Sequence, residues 1–164
     1  MSGSGNNGQC IYIRGIGNTS FKSSSSGLFT LNGNSVECNG NIENLLDYTI
    51  VKAGETPTMA NSCYSYMFRN CTSLATAPEL PATTLASSCY YGMFQNCTNL
   101  TTAPALPATT LIGSCYNTMF SGCTSLTTAP ELPAAKMSMW CYRYMFSGCT
   151  NLTTAPALPA TTLA

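Results

Sequence analysis

The chain has 164 residues and carries six Lys plus Arg against six Asp plus Glu, with no His. A formal net charge of zero leaves no electrostatic footprint for nucleic acid or an anionic membrane. A hydrophobic share of 45% excludes a charged disordered tail, and no apolar run approaches the ~20 residues that cross a bilayer.

Residues 1–8, Met-Ser-Gly-Ser-Gly-Asn-Asn-Gly, have neither a basic n-region nor an apolar h-region and do not form a secretion signal. Their Gly and Ser read as a flexible linker or a cloning scar. They are set aside from the fold, and they do not argue for the cytosol.

Residues 9–50 do not repeat and read as a β-rich cap. Cys10-Ile-Tyr-Ile-Arg14 alternates and is rich in β formers. Gly27–Leu31 and Ser35–Cys38 flank Asn32-Gly33-Asn34, which reads as a hairpin turn. Residues 41–47 read as one helical turn. Residues 51–62 then read as a degenerate first coil, because Pro57-Thr-Met-Ala60 loosely resembles Ala82-Thr-Thr-Leu85.

From Cys63 onward the sequence copies itself every 26 residues. Cys63, Cys89, Cys115 and Cys141 form one column, and Cys71, Cys97, Cys123 and Cys149 a second. Tyr64, Tyr90, Tyr116 and Tyr142 keep phase, as do the Met-Phe pairs starting at Met67, Met93, Met119 and Met145. Four copies of C-Y-x-x-M-F-x-[NG]-C-T-[SN]-L-x-T-A-P-x-L-P-A span residues 63–164. A period of this size is the mark of a solenoid, in which no copy buries its apolar face alone.

Each copy reads as a short helix, a short strand and an extended arm. Cys89, Met93 and Cys97 sit at i, i+4 and i+8, one face of a helix. Ser62, Ser88 and Ser114 stand at the N-cap. Asn70, Asn96, Gly122 and Gly148 mark the helix end, since Asn and Gly tolerate the left-handed conformation. A strand is expected near Leu100–Ala103, ending at Pro104, which lacks a ladder donor. Stacked coils would set such strands ~4.8 Å apart in parallel. The fold class is therefore an α/β repeat solenoid with short strands and short helices behind a small β cap.

The stretches Met119-Phe-Ser-Gly-Cys-Thr-Ser-Leu-Thr127 and Met145-Phe-Ser-Gly-Cys-Thr-Asn-Leu-Thr153 resemble the leucine-rich repeats of BspA-like bacterial surface proteins. The 26-residue form with A-P-x-L-P-A-T-T-L is similar to the variant common in gut Bacteroidales proteins. The Pro-bearing arm departs from the shorter family repeat. The resemblance covers about residues 63–164 and implies an extracellular interaction role with no catalytic residues.

The ten cysteines admit three readings. Metal binding needs close-spaced Cys pairs or His partners, whereas the repeat offers C-x7-C and no His. A disulfide framework suits an extracellular chain, but stacked identical columns would present parallel Cβ vectors, a poor bonding geometry. Buried free thiols acting as small hydrophobes are the favoured reading. Cys10 and Cys38 in the cap are open to pairing.

No chemistry is expected. A hydrolase triad needs a base, usually His, and there is none. Glu79 and Glu131 share a column two coils apart, roughly 10 Å, too wide for a glycosidase pair. They read as surface carboxylates. Asn70-Cys-Thr and Asn96-Cys-Thr match a glycosylation pattern but fall at the left-handed column, a structural place. No catalytic residue, cofactor or metal is assigned.

Two contact surfaces are candidates. Columns that differ between copies are expected at the surface: Ser65-Tyr66, Tyr91-Gly92, Asn117-Thr118 and Arg143-Tyr144. Trp140, the sole Trp, stands where the other copies have Ser. Trp, Tyr and Arg dominate binding hot spots, so Trp140, Arg143 and Tyr144 form one candidate site. The plainer alternative has Trp140 packing over a following coil. Thr76, Thr102, Thr128 and Thr154 form a second candidate, a hydroxyl ladder for glycan or peptide that would otherwise merely cross-link coils.

The sequence after Thr161-Thr-Leu brings no polar capping element. Either the array is cut from a longer one, the favoured reading, or a partner covers that face. The expected function is a non-catalytic recognition or adhesion module, extracellular or on a bacterial cell surface, binding protein or glycan, with no nucleic acid and no membrane insertion. The alternatives are a structural unit stacking end to end into fibres and a phage tail receptor-binding module.

Overall fold

The computed structural model describes residues 2–4, 10–20, 27–31, 33 and 35–163. The elements in chain order are β1 (Ser2–Ser4), β2 (Cys10–Tyr12), β3 (Val36–Asn39), α1 (Asn44–Lys52), β4 (Leu74–Thr76), β5 (Thr110–Leu111), β6 (Lys136–Met137) and β7 (Thr162–Leu163). One sheet has the order β2-β1-β3-β4, and a second has the order β5-β6-β7.

Successive copies stack in register. Thr110 pairs with Lys136 and Lys136 with Thr162, all parallel and one repeat apart. Thr76 bridges to Thr102, and Thr102 to Thr128, again in parallel. The expected strand near Leu100–Ala103 thus contracts to a single bridge at Thr102. The Pro two residues later supplies no N–H to lengthen it. Beyond the arm, the Thr-Leu segment leading to the next copy pairs instead.

The expected helix is absent from all four copies. Residues 61–70, 87–96, 113–122 and 139–148 run as overlapping four-residue turns. In the first copy the N–H groups of Cys63, Ser65, Met67, Arg69 and Cys71 donate to the carbonyls of Ala60, Ser62, Tyr64, Tyr66 and Phe68, each three residues back. Ser62, Tyr64, Tyr66 and Asn70 have φ between 56° and 63°. A positive φ at the third residue defines a type II turn. The remaining copies repeat this with positive φ at Ser88, Tyr90, Gly92 and Asn96, at Ser114, Tyr116, Thr118 and Gly122, and at Trp140, Tyr142, Tyr144 and Gly148. Ser62, Ser88 and Ser114 are therefore turn residues and not N-caps. The expectation of a left-handed residue at Asn70, Asn96, Gly122 and Gly148 holds, although no helix ends there.

The pitch of the stack explains the turn ribbon. Tyr64, Tyr90, Tyr116 and Tyr142 stack face to face with centroids 5.5, 5.7 and 5.8 Å apart. Phe68, Phe94, Phe120 and Phe146 do the same at 5.6, 5.7 and 5.9 Å. Packed helices need axes about 8–10 Å apart, so one helix per coil does not fit. A ribbon one chain thick does.

Alternate N–H groups of each ribbon are spent on the next. Ser62, Tyr66, Phe68 and Asn70 donate to the carbonyls of Ser87, Tyr91, Met93 and Gln95 at 2.8–2.9 Å. One bond per interface runs the other way, from Tyr90 N–H to the Cys63 carbonyl at 3.0 Å. The ladder satisfies main-chain groups that the buried core would otherwise leave unpaired. Left-handed backbone costs an L residue roughly 1–2 kcal/mol. Ser114→Gly, at φ 62°, is therefore expected to raise stability by about 0.5–1 kcal/mol, whereas glycine in a helix interior would lower it by a similar amount. Urea titration of the variant decides the sign.

The N-terminal segment covers the first ribbon. β3 pairs in parallel with β4, Val36 opposite Leu74. Phe29 stacks on Phe68 at 5.4 Å, extending the Phe column by one ring. Leu28 N–H donates to the Met67 carbonyl, and Tyr64 Oη donates to the Ile42 carbonyl at 3.2 Å. Leu28, Phe29, Val36 and Ile42 thus hold places next to the first copy. Three cap expectations change. Ser2–Ser4 pairs with both β2 and β3, so it belongs to the sheet and not to a linker. Residues 27–31 form no strand, and β3 pairs with β1 and β4, so the expected hairpin is not made. Its turn residues Asn32 and Asn34 lie outside the described residues. The helical turn extends to Lys52 through a break at Asp47 (φ −150°, ψ 102°). There the carboxylate accepts from Thr49 Oγ1, from the Gly17, Thr49 and Ile50 N–H groups, and so restarts the helix. The Thr49 hydroxyl first, then Gly17 N–H, hold its pKa at about 2.

Candidate functional site

The core explains which columns remain for function. Both Cys columns, the Tyr and Met-Phe columns, and Leu74, Leu100 and Leu126 are buried through the third copy. The thiols do more than fill space. Cys97, Cys123 and Cys149 donate to the carbonyls of Phe68, Phe94 and Phe120 in the preceding coil at 3.0–3.1 Å. Cys115 and Cys141 donate likewise to Ala86 and Ile112 at 3.3 and 3.2 Å. Cys71, Cys89, Cys97, Cys115, Cys123, Cys141 and Cys149 carry free thiols. The Cys10 side chain, and hence its expected pairing with Cys38, lies outside the described residues.

Neighbouring members of the Tyr column are satisfied differently. Tyr64 Oη has the Ile42 carbonyl, but Tyr90 Oη is buried without a partner. An unpaired buried hydroxyl costs about 1–3 kcal/mol. Tyr90→Phe is therefore expected to stabilise the chain by about 1 kcal/mol, and Tyr64→Phe to destabilise it by about as much. Thermal melts of both variants should move in opposite directions. A fall for Tyr90→Phe would show that its hydroxyl is paired.

The columns that differ between copies are not surface in the first three copies. Ser65 and Asn117 are buried, and Tyr66, Tyr91 and Thr118 are half-buried. Their variation is complementary packing. Tyr66 lies over Gly92, where a methyl group would come within 2.5 Å of the ring. Tyr66 also meets Tyr91 edge-on at 5.2 Å. A large residue in one coil thus requires a small one in the next.

Only in the fourth copy does this pair reach solvent. Trp140 is 57% exposed, Tyr144 61% and Met139 63%. Arg143 N–H donates to the Trp140 carbonyl at 3.2 Å, closing a turn that brings Trp140, Arg143 and Tyr144 together. The Arg143 guanidinium sits 4.7 Å over the Tyr144 ring, a cation–π contact that holds the cation beside the aromatic surface. Asn117 Nδ2 donates to the Trp140 carbonyl from the coil below, at 3.3 Å. The sequence marked these three residues, but not Met139 or Leu158, which is 61% exposed where Leu106 and Leu132 are buried.

Thr76, Thr102, Thr128 and Thr154 are all exposed. Thr76, Thr102 and Thr128 line one parallel ladder. Beside them, Thr127 Oγ1 donates to the Thr101 carbonyl at 3.5 Å, so part of the hydroxyl array ties coils together. Glu79 and Glu131 are exposed as expected. Asn96 Nδ2 donates to Asn70 Oδ1 at 2.9 Å, which gives the Asn column its structural part.

No group of three or more His, Cys, Asp or Glu among the described residues is placed to hold a metal ion. No described helix is long and apolar enough to cross a membrane. Comparison with protein-family models, with curated proteins and with solved structures finds no match to this chain.

Proposed function

We propose that the chain is a non-catalytic recognition or adhesion module of the leucine-rich-repeat solenoid kind, acting outside the cell at a bacterial surface. The observation that carries this reading is the exposed turn of Trp140, Arg143 and Tyr144 on an otherwise charge-poor, tightly stacked scaffold. Rigid aromatic rings beside a held guanidinium are the composition of a binding hot spot. The resemblance of the repeat to BspA-like surface proteins supports an extracellular protein or glycan as ligand, and the exposed Thr ladder offers hydroxyls for such contacts. End-to-end stacking into fibres is less well supported, because Leu28 and Phe29 already cover the first ribbon. Nothing in the geometry favours the phage-tail alternative.

The test is a screen of the labelled chain against immobilised glycans and extracellular matrix proteins. Trp140→Ala and Thr102→Val/Thr128→Val are run beside it. A ligand lost at least tenfold by Trp140→Ala assigns the aromatic turn. Equal binding by that variant would remove the turn from the site. Binding of nothing in either panel would overturn the recognition reading.

A further inference from the structure

Glu43, at the N-cap of α1, and Asp47 within it are the buried acids among the described residues, and the fold treats them oppositely. Asp47 is given donors: Thr49 Oγ1 and the N–H groups of Gly17, Thr49 and Ile50. Those bonds, the Thr49 hydroxyl first, keep it ionised. Glu43, one turn earlier, is only 4% exposed, and its Oε1 is buried with no partner among the described residues. Its N–H is tied to Asn41 Oδ1 at 2.7 Å, and Ile42, Leu45 and Leu46 around it have no exposure. Burial drives this carboxyl above its ordinary range, and a bond to the Asn41 side chain offsets only part of the rise. No cation contributes to the shift.

The same carboxyl sits at the seam between the N-terminal segment and the repeats. Ile42 N–H donates to the Glu79 carbonyl at 3.1 Å, and Glu79 N–H to the Gly40 carbonyl at 3.0 Å. Asn41 bridges Glu79 in parallel, and Tyr64 Oη reaches the Ile42 carbonyl. Glu43 lies within electrostatic reach of the Tyr64 and Tyr90 hydroxyls. Burial above all pushes both phenols far above their ordinary range, so both stay neutral. Cys63 and Cys89 act on Tyr64 from the ribbons, and Cys38 lies buried in β3. The charged groups Arg14, Glu37, Lys52 and Glu79 are all exposed. An ionised Glu43 is therefore a buried charge without a counter-ion, a costly state.

We propose that Glu43 is a proton-operated latch on this seam: its neutral form seats residues 40–52 on the first copy, and its ionised form loosens them while the repeats stay stacked. A carboxyl whose pKa is raised by folding gives its full stabilisation below its unfolded value and loses it as pH rises through the folded one. Asp47 works over the opposite range, losing its bonds only as pH falls toward about 2. Between pH 4 and 8 the seam thus answers to Glu43. Loosening frees the Glu79 main chain, and so the edge of the first arm, as pH rises, and reseals it as pH falls. The latch does not depend on which ligand the repeats bind.

The experiment follows amide hydrogen exchange of the whole chain from pH 4 to 8, expressed as protection factors so that the intrinsic pH dependence of exchange is removed. The Ile42 and Glu79 amides report the seam, and those of Phe94 and Phe120 report the ladder between repeats. The expected result is protection at least tenfold lower at Ile42 and Glu79 at pH 8 than at pH 4, with Phe94 and Phe120 unchanged. Tenfold is the loss that a pKa rise of about one unit transmits. Glu43→Gln, which keeps the size of the side chain and cannot ionise, is expected to hold its low-pH protection throughout. Flat protection in the native chain would overturn the proposal. So would an equal loss in Glu43→Gln, or an equal loss at Phe94 and Phe120, which would report opening of the whole stack. NMR titration of the Glu43 carboxyl in the native chain keeps the test decisive even if the variant fails to fold. Titration at or below the ordinary glutamate value would sink the latch.

Discussion

Phe94→Ala is expected to destabilise the chain by about 3–5 kcal/mol, the usual cost of truncating a fully buried phenylalanine. For a chain of this size that is a fall of roughly 10 °C in Tm. Phe94 has no solvent exposure. Its ring is held between Phe68 at 5.6 Å and Phe120 at 5.7 Å, so the cavity opens between two stacked coils. Neither coil can close it, because its main chain is tied at Phe94 N–H to the Met119 carbonyl and at Met93 carbonyl to Phe68 N–H. Phe146→Ala is the informative comparison. That ring is half-buried and stacks on Phe120 alone, at 5.9 Å. Its loss is expected to cost less than half as much. In a stack stabilised by nearest-neighbour interfaces the central substitution breaks two interfaces and the terminal one breaks one. Equal costs at the two sites would mean that the stacking of rings is not what holds successive coils together.

Much of this arrangement is written in the columns. A residue type that returns every 26 positions must meet its own kind in a stack, so Cys, Tyr, Met, Phe and Leu in phase mark the buried interior. The Asn/Gly column likewise marks a left-handed position, because those residues share little else. The backbone between them was hidden. Cys89, Met93 and Cys97 at i, i+4 and i+8 fit a helix face, but a ribbon that repeats every two residues also returns to the same side at i+4. Period alone could not separate the two. A signal was present in the column of Tyr66, Gly92, Thr118 and Tyr144, where a glycine stands at φ 56° among residues that would sit comfortably in a helix. Tyr90 and Tyr116 gave no such sign, since tyrosine has no preference for positive φ. Their conformation is imposed by stacking and the ladder. The exposure of the candidate contact residues was legible for a similar reason and with a similar limit. Trp140 broke a column and does lie exposed. Ser65 and Asn117 differed from their counterparts equally, yet they are buried, because variation between stacked coils also records how one side chain makes room for the next.

The thiols provide the largest expected effect. In the native chain at pH 8, Cys115 and Cys123 are expected to react with iodoacetamide at least a thousandfold more slowly than in urea. Burial first, and then the neighbouring thiols in each column, push both from an ordinary value of 9.0 up to about 12. Three pKa units remove about a thousandfold of the reactive thiolate, before access is considered. Cys123 also spends its S–H on the Phe94 carbonyl at 3.1 Å, so ionisation would break a bond between coils. Labelling therefore has to wait for opening of the stack. Cys141 should react before Cys71, Cys89, Cys97, Cys115, Cys123 and Cys149. It is the one that is not fully buried, although its pKa is raised as well. Mass spectrometry of partly labelled protein would give this order. Native labelling of Cys115 and Cys123 at their urea rates would mean the columns are open to solvent and the coils are not packed as described. The slow result would carry a functional consequence. Thiols made inert by burial would let a chain with the proposed extracellular role keep a cysteine-rich core without scrambled disulfides, while each S–H still reaches the carbonyl of the coil before.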